Sequence, residues 1–273
     1  MLELSPDPTL AARQRLAAAD LRGAARLWRL CWTLAWLDIK LRYRGSLLGP
    51  FWLTLSTAIM VAAMGGIYAA LFHMNLHEYL PFLALSLVLW NFFGGLVAEA
   101  CQAFTVAESM IRSVRMPFTL YAARIVVRNV LILAHNVVVI VAVFAIYGVW
   151  PGMTGLLAVP AFALWLVNCF ALSILLGALC ARFRDIPPIV GNVVQMAFFV
   201  TPVIWRADLV GPARQWLLPF NPFFSALESV RAPLMGTLPS LAVYASVVLY
   251  SLLLLGMTWL LFARVRGRIA FWV

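Results

Sequence analysis

Long apolar runs alternate with short basic segments along the whole chain. A helix that crosses the ~30 Å hydrocarbon core of a membrane needs roughly 20 mainly apolar residues. Six segments meet this requirement, so the pattern predicts an all-α integral membrane protein whose residues 1–273 form a single transmembrane domain. The predicted spans are residues 47–72, 80–100, 120–147, 154–180, 187–205 and 238–262.

The segment before the first span has a different, amphipathic pattern. Between Leu21 and Leu37 three arginines and Thr33 recur at three- and four-residue spacing, leucines and Cys31 lie opposite them, and three tryptophans mark the borders. An arginine face bordered by tryptophan suits a helix that lies in the headgroup plane. We therefore predict an amphipathic interfacial helix over residues 20–37, with a short soluble helix packed on a partner as the alternative.

Residues 206–237, between the last two predicted spans, are rich in phenylalanine and contain Trp216, which is too apolar for a solvated loop. Asn221 followed by Pro222 is a strong helix start, because asparagine caps the first turn and proline suits the first helical position. The pattern predicts two short outer helices, broken around Pro219, that re-enter the membrane. Broken backbone at membrane depth needs protein or a water-filled cavity around it, so this segment is a candidate pathway wall.

Composition supports the membrane interpretation. The chain is 64% hydrophobic and 11% charged, with a formal net charge of +10, whereas a soluble domain is about half apolar and about a quarter charged. The basic residues cluster between apolar runs rather than along one solvated face, which indicates membrane topology and no nucleic-acid partner.

The basic residues also predict the orientation. Lysine and arginine are retained on the cytoplasmic side of a membrane. With a cytoplasmic N-terminus and six spans, only Arg206, Arg214 and Arg231 lie outside, which predicts a multi-pass protein of the bacterial inner membrane with both termini in the cytoplasm. The basic residues then on the inside are Arg13, Arg15, Arg22, Arg26, Arg29, Lys40, Arg42, Arg44, Arg112, Arg115, Arg124, Arg128, Arg182, Arg184, Arg264, Arg266 and Arg268.

The sequence contains no recognisable catalytic or metal motif. It lacks GxSxG and HExxH, its histidines have no ligand spacing with acids, and its cysteines form no CxxC pair. It also lacks a GxxxxGK[ST] phosphate cradle, and Lys40 is the only lysine. We therefore expect no catalytic residue, no metal and no cofactor on this chain; if ATP drives it, ATP and Mg²⁺ bind another polypeptide.

Two sets of residues are candidates for function. The segment Ala107–Pro117 reads as a short amphipathic helix, either a docking element for a soluble partner or a basic loop that only fixes topology. Aromatic residues along the first, second and fifth predicted spans could stack on the C–H faces of sugar rings, although membrane-interface belts and core packing also explain aromatics. These candidate pathway residues are Trp52, Tyr68, Trp90, Phe92, Phe93, Phe199 and Trp205.

The order of these elements resembles the permease subunit of polysaccharide ABC exporters, the Wzm-like branch of O-antigen, capsule and teichoic-acid permeases. The resemblance covers essentially the whole chain. Its most specific stretches are Leu37–Trp52 (LDIKLRYRGSLLGPFW), Ala107–Pro117, Ala181–Ile186 (ARFRDI), Thr201–Trp205 (TPVIW) and Asn221-Pro222.

This resemblance implies a homodimer bound to two copies of a cytoplasmic ABC ATPase, with a glycan linked to polyprenyl pyrophosphate as substrate. It implies that the helix before the first span acts as a gate and that the outer helices line the exit. Guanidinium groups can bind phosphate oxygens bidentately, although the loop arginines also serve as topology anchors. By resemblance, the head-group loop contains Arg42, Arg44, Leu48 and Gly49, and the residues coupled to the ATPase are Glu108, Arg112 and Arg115.

Two other functions fit the sequence less well. A type-2 ABC permease for small drugs or lipids would share the architecture but have a narrower pathway. A membrane-embedded transferase would need an intramembrane acid or histidine pair, and the predicted span interiors contain none.

Overall fold

The computed structural model describes residues 9–45, 49 and 51–273, and of Pro212 the backbone alone. Across this part of the chain every regular element is helical. Short 3₁₀ turns cover Met153–Leu157, Ala207–Val210, Leu218–Phe220 and Arg266–Arg268. The α-helices are α1 (Leu10–Arg26), α2 (Trp28–Arg42), α3 (Phe51–Leu71), α4 (Leu76–Ala100), α5 (Glu108–Ser113), α6 (Phe118–Tyr147), α7 (Ala158–Arg182), α8 (Ile186–Val200), α9 (Pro212–Gln215), α10 (Pro222–Leu234), α11 (Leu241–Val265) and α12 (Ile269–Trp272).

Among the described residues, five helical segments are long and apolar enough to cross a membrane, which confirms the all-α integral membrane fold. They are Phe51–Leu71, Leu76–Ala100, Phe118–Tyr147, Met153–Arg182 and Leu241–Trp272.

The fifth predicted span, 187–205, is shorter in the structure than the sequence suggested. Helix α8 has 15 residues, a rise of about 22 Å at 1.5 Å per residue, and the chain leaves the helix at Thr201. Prolines occupy the first turn of α8, where their missing N–H groups cost no hydrogen bond. The count of six spans therefore stays a prediction.

Helix α4 is the centre of the bundle. It packs against α3, α6 and α7. Of its most apolar stretch, 72% is buried inside the bundle, whereas the buried share is 17% for α3 and 22% for the segment that contains α11. The close approach of α3 depends on Gly65, because a Cβ at that position would lie 1.9 Å from Leu80 Cδ1. The broad apolar faces of α3 and α11 thus remain available to lipid or to a second subunit.

The predicted interfacial helix over 20–37 corresponds to two helices, α1 and α2, with a turn at Leu27. The break lets α1 pack on α6 and α11 while α2 follows α6. Apart from Asp20, the protein-facing stripe of this region consists of small side chains and one isoleucine, and the tryptophans face outward. The buried apolar residues between residues 20 and 42 are Ala24, Cys31, Ala35 and Ile39; the exposed tryptophans are Trp28, Trp32 and Trp36.

Asp20, buried on α1, fastens three helices together. Its carboxylate accepts hydrogen bonds from the backbone N–H groups of Phe118 and Thr119 at 3.1 and 3.0 Å, and from Arg266 Nε at 2.8 Å. Helix α6 has no side-chain cap of its own, since Pro117 precedes it. Asp20 therefore supplies the missing N-cap from another helix and binds the end of α11.

We call the end of the bundle that carries α1, α2, α5 and α12 the basic end, and the end that carries residues 201–240 the opposite end. At the opposite end the chain forms short helices on both sides of Pro219, as predicted. The predicted helix start is also confirmed, because the Asn221 side chain accepts hydrogen bonds from the N–H groups of Phe223 and Phe224 at 3.0 and 3.3 Å.

Candidate functional site

A network of charged side chains joins α2, α4 and α6 at the basic end. Arg128 is its centre, donating to Asp38 Oδ2 at 3.0 Å and to Glu99 Oε2 at 2.7 Å. Arg124 binds Asp38 through both Nε and Nη2. Arg42 Nη2 donates to Glu99 Oε1 at 2.7 Å. We call these five residues, together with Asn129, whose Nδ2 donates to Glu99 at 2.6 Å, the basic network.

Three arginines and two carboxylates leave the basic network with one surplus positive charge. Four of the five charged side chains are 14–22% exposed, whereas Arg42 is 44% exposed. The hydrogen bond from Arg42 to Glu99 raises the pKa of the arginine above its already high value, so its charge is permanent. The surplus charge is therefore presented to solvent at Arg42, where an anion can reach it.

Of the predicted head-group loop, Arg42, Arg44 and Gly49 belong to the described residues. Arg44 is exposed, and its side chain makes no ion pair within residues 9–45, 49 and 51–273. Gly49 has a φ of +54°, a left-handed conformation that favours glycine. Leu48 lies outside the described residues. The chain thus places the exposed Arg44 just past α2, close in sequence to the open end of the network.

Helix α5 follows the end of α4 and precedes the start of α6. The basic network connects these same two helix ends. All six of its residues are at least partly exposed. Glu108 and Arg112 form an i,i+4 pair at 2.9 Å, both half exposed or more, and Arg112 also donates to the backbone oxygen of Val273 at 2.6 Å. Arg115 is exposed as well. A movement of α5 would therefore be transmitted to α4 and α6, and from them through the basic network to α2.

A groove of about 570 Å³ runs between α4 and α8. Its lining mixes aromatic rings with the amides of Asn91, Gln102 and Gln195, and no charged residue belongs to it among the described residues. At its basic end the groove reaches Ala98 and Cys101, the neighbours of Glu99 along α4. Rings and amides without charge suit a neutral, hydroxyl-rich chain more than an ionic substrate.

The predicted pathway aromatics divide into several positions. Trp90 and Phe199 line the groove, and Trp90 packs against Phe93, Phe198 and Phe223 at centroid distances of 5.9, 5.8 and 6.1 Å. We call Trp90, Phe93, Phe198 and Phe223 the aromatic wall.

The remaining aromatics lie elsewhere. Phe92 faces the subunit core, against Phe162 and Trp165 at 5.9 and 6.0 Å. On α3, Trp52 is exposed and Tyr68 stacks on Phe72 at 5.7 Å. Trp205, at the opposite end, donates its indole N–H to the Phe199 carbonyl at 3.0 Å. One subunit therefore does not gather the seven aromatics onto a single surface.

The sequence placed Arg231 among the outer arginines but did not predict its burial, and in the structure the residue is 2% exposed. Its Nε donates to Glu228 at 2.9 Å and its Nη1 to Ser86 Oγ at 2.8 Å and to the Pro202 carbonyl, while its guanidinium lies 4.3 Å from the Phe82 ring. The available signal was Glu228 three residues before Arg231, an ion-pair spacing inside an apolar segment.

Two further side chains hold the turn that Arg231 binds. The buried Tyr79 hydroxyl donates to the Ile204 carbonyl, and Asn221 Nδ2 donates to Thr201 Oγ1 at 3.0 Å. The turn Thr201–Trp205, where α8 ends, is thereby tied to α4 and α10.

The basic network was also only partly predicted. The sequence singled out Arg42 and placed Arg124 and Arg128 on the inside, but the pairing of these arginines with Asp38 and Glu99 was not predicted. The signal was present: two arginines one helical turn apart in a largely apolar span require carboxylate partners to be buried.

Residues 29–235, well over half of the chain, match the ABC-2 type transporter family, and the chain belongs to that family of transport permeases. It is similar to the O-antigen export system permease protein RfbA of Myxococcus xanthus, with 26% identity over 197 residues that cover 71% of this chain and 76% of the relative. The protein of the same name from Klebsiella pneumoniae is 25% identical over 203 residues, which cover 74% and 78% of the two chains. The resemblance to Wzm-like permeases is thus confirmed, and with it a multi-pass membrane protein.

Proposed function

We propose that this chain is the permease subunit of an ATP-driven exporter that moves a lipid-linked, O-antigen-like polysaccharide out of the cytoplasm across the bacterial inner membrane. The observation that carries the proposal is the surplus positive charge of the basic network, presented at Arg42 beside an uncharged groove lined by rings and amides. The similar proteins are named O-antigen export permeases, which supports the same substrate class.

In this proposal the basic end faces the cytoplasm, and so do both termini. The arginine excess of the segments at that end supports this orientation, because basic residues in short loops are retained inside. The test is cysteine labelling with a membrane-impermeant maleimide: Glu78→Cys, 70% exposed in the native side chain, reacts from outside, and Arg268→Cys reacts only after permeabilisation. Labelling of position 268 in intact cells would reverse the orientation.

Two copies of the chain assemble with two copies of a cytoplasmic ABC ATPase, which carries the ATP and Mg²⁺. The exposed helix α5 is the docking element for that ATPase, with Glu108, Arg112 and Arg115 as contact residues. Its position in the chain between α4 and α6 would let nucleotide-driven movement reach the basic network. The outward apolar faces of α3 and α8 offer surface for the second copy.

The substrate pyrophosphate is captured at Arg42, assisted by Arg44, and the glycan then enters the groove. A guanidinium offers paired donors that match phosphate oxygens. Sugar rings present apolar C–H faces, which Trp90 and Phe199 can contact without holding the chain in one register. Because these contacts are not directional, one pathway can accept many successive sugars.

The decisive experiment is Arg42→Ala, with Arg268→Ala as a control that removes an equally basic, exposed arginine from the same end. A hydrogen bond to a charged group contributes about 1.5–3 kcal/mol, so loss of Arg42 should weaken capture of a polyprenyl pyrophosphate analogue by about tenfold or more. Surface polysaccharide should fall in Arg42→Ala only, with equal amounts of both variants in the membrane. Export at the wild-type rate by Arg42→Ala would refute the head-group role. If deletion of the whole protein changes drug sensitivity but no surface glycan, the drug permease is favoured.

A further inference from the structure

A second groove, distinct from the one between α4 and α8, runs along the outward face of α11. It has a volume of about 520 Å³ and is open to the surroundings. Gly256 and Met257 form its middle, and Arg264 closes it at the basic end. Only 22% of the most apolar stretch of Leu241–Trp272, which includes α11, is buried inside the bundle. This face of α11 therefore contacts the membrane.

The groove borders a mainly apolar cavity. Leu253 and Met257 line both the groove and a further space of about 500 Å³ between α4, α7, α10 and α11. The inner end of this space is formed by Trp165 and by Trp90, Phe93 and Phe223 of the aromatic wall, which separates it from the α4–α8 groove. The groove and the cavity thus adjoin at Leu253 and Met257 of α11.

The length of the groove and the charge at its end indicate which ligand it binds. Eleven residues separate Arg264 from Leu253, a rise of about 16 Å along a helix, which equals one leaflet, about half of the ~30 Å hydrocarbon core. Arg264 is exposed and makes no ion pair with any residue in the described part of the chain. A free cation thus lies one leaflet away from Leu253, where the groove adjoins the apolar cavity.

We propose that the α11 groove and its cavity bind an anionic phospholipid, with the phosphate at Arg264, one acyl chain along Gly256 and the end of that chain inside the cavity. A phospholipid has this arrangement of an anion at the surface and an alkyl chain one leaflet long. The site lies apart from the basic network, because α11 packs on α1, α7 and α10 whereas the network joins α2, α4 and α6. The lipid is therefore a component of the subunit, bound away from the captured substrate.

Gly256 allows a direct test. A Cβ built at Gly256 meets no protein atom within 4 Å, so Gly256→Leu fills the groove without disturbing the packing of the subunit, and replacing a helical glycine favours the helix. Gly66 on α3 is equally exposed and its Cβ also meets nothing, which makes Gly66→Leu a matched control. Arg264→Gln removes the charge and keeps a side chain of similar size.

The measurement is native mass spectrometry of the full chain in mild detergent, titrated with phosphatidylglycerol. We expect the wild type and Gly66→Leu to retain one lipid per chain, and Gly256→Leu and Arg264→Gln to bind it about tenfold more weakly, the fold-change expected from about 1.4 kcal/mol. If Gly256→Leu binds the lipid with wild-type affinity, the proposal is overturned. This holds even if Arg264→Gln alone weakens lipid binding. A changed oligomeric state of Gly256→Leu with unchanged lipid binding would also overturn it, since the groove would then be an interface between copies.

Discussion

The two ends of the molecule both hold arginine–carboxylate clusters at helix junctions, but they differ in charge balance and enclosure. At the opposite end Arg231 is enclosed by one carboxylate, a serine, a backbone carbonyl and an aromatic ring, and its side chain is 3% exposed. At the basic end three arginines share two carboxylates, and Arg42 is 44% exposed. A balanced, enclosed pair fixes one geometry, whereas an open cluster with a surplus charge can exchange partners. We infer that the opposite end holds the Thr201–Trp205 turn in place while the basic end responds to an anion.

The largest expected effect is at the opposite end. Arg231→Ala leaves Glu228 without its partner in a mostly enclosed site, and breaking a buried pair in this way destabilises by about 3–5 kcal/mol. Thermal unfolding in detergent should show a large drop for Arg231→Ala and little change for Arg206→Ala, whose partners are 58–70% exposed. Because Arg231→Ala/Glu228→Ala removes both charges, it should recover part of the loss. Equal stability of Arg231→Ala and Arg206→Ala would mean that the enclosed Arg231 pair does not hold the opposite end in place.

A smaller effect is expected for Arg128→Ala, which removes the contacts that α6 makes through Arg128 to Asp38 of α2 and Glu99 of α4. The remaining arginines still neutralise Asp38 and Glu99, so the destabilisation should be about 1.5–3 kcal/mol, the contribution of a hydrogen bond to a charged group. The ATPase activity of the assembled complex should also lose its response to substrate. If the response persists in Arg128→Ala, the network does not transmit movement.

The smallest effect is expected for Glu99→Gln, which keeps the shape of the side chain and raises the surplus charge of the network from one to two. Arg42 would lose an anionic competitor that is worth about 0–1 kcal/mol at its exposed position. The affinity for a pyrophosphate head group should therefore rise up to about fivefold, opposite in sign to Arg42→Ala. Asp208→Asn, at the opposite end, should leave this affinity unchanged. Weaker binding by Glu99→Gln would mean that Glu99 supports the site rather than competing with the substrate.

The membrane fold could be predicted from the sequence because lipid imposes long apolar runs, and Asn221-Pro222 marked its helix because the cap is local. The break at Leu27 could not be predicted, since it depends on how α1 packs on α6 and α11. Among site residues, Arg42 and helix α5 followed from local pattern and resemblance. The partners Asp38 and Glu99 are 61 residues apart in number and meet only through tertiary packing, and the burial of Arg231 depends on Phe82 and Ser86 of another helix. The roles of the pathway aromatics stay predictions.

The Asp20 contact also bears on the order in which the chain can complete its structure. Asp20 leaves the ribosome early, the backbone groups that it caps follow about a hundred residues later, and Arg266 emerges among the last residues. Until then a carboxylate that is fully buried in the finished protein has no complete set of partners. A chain without Arg266 would keep the cap on α6 but leave Asp20 without its charged partner. The first helix thus reaches its complete set of contacts only after residue 266 has joined the bundle.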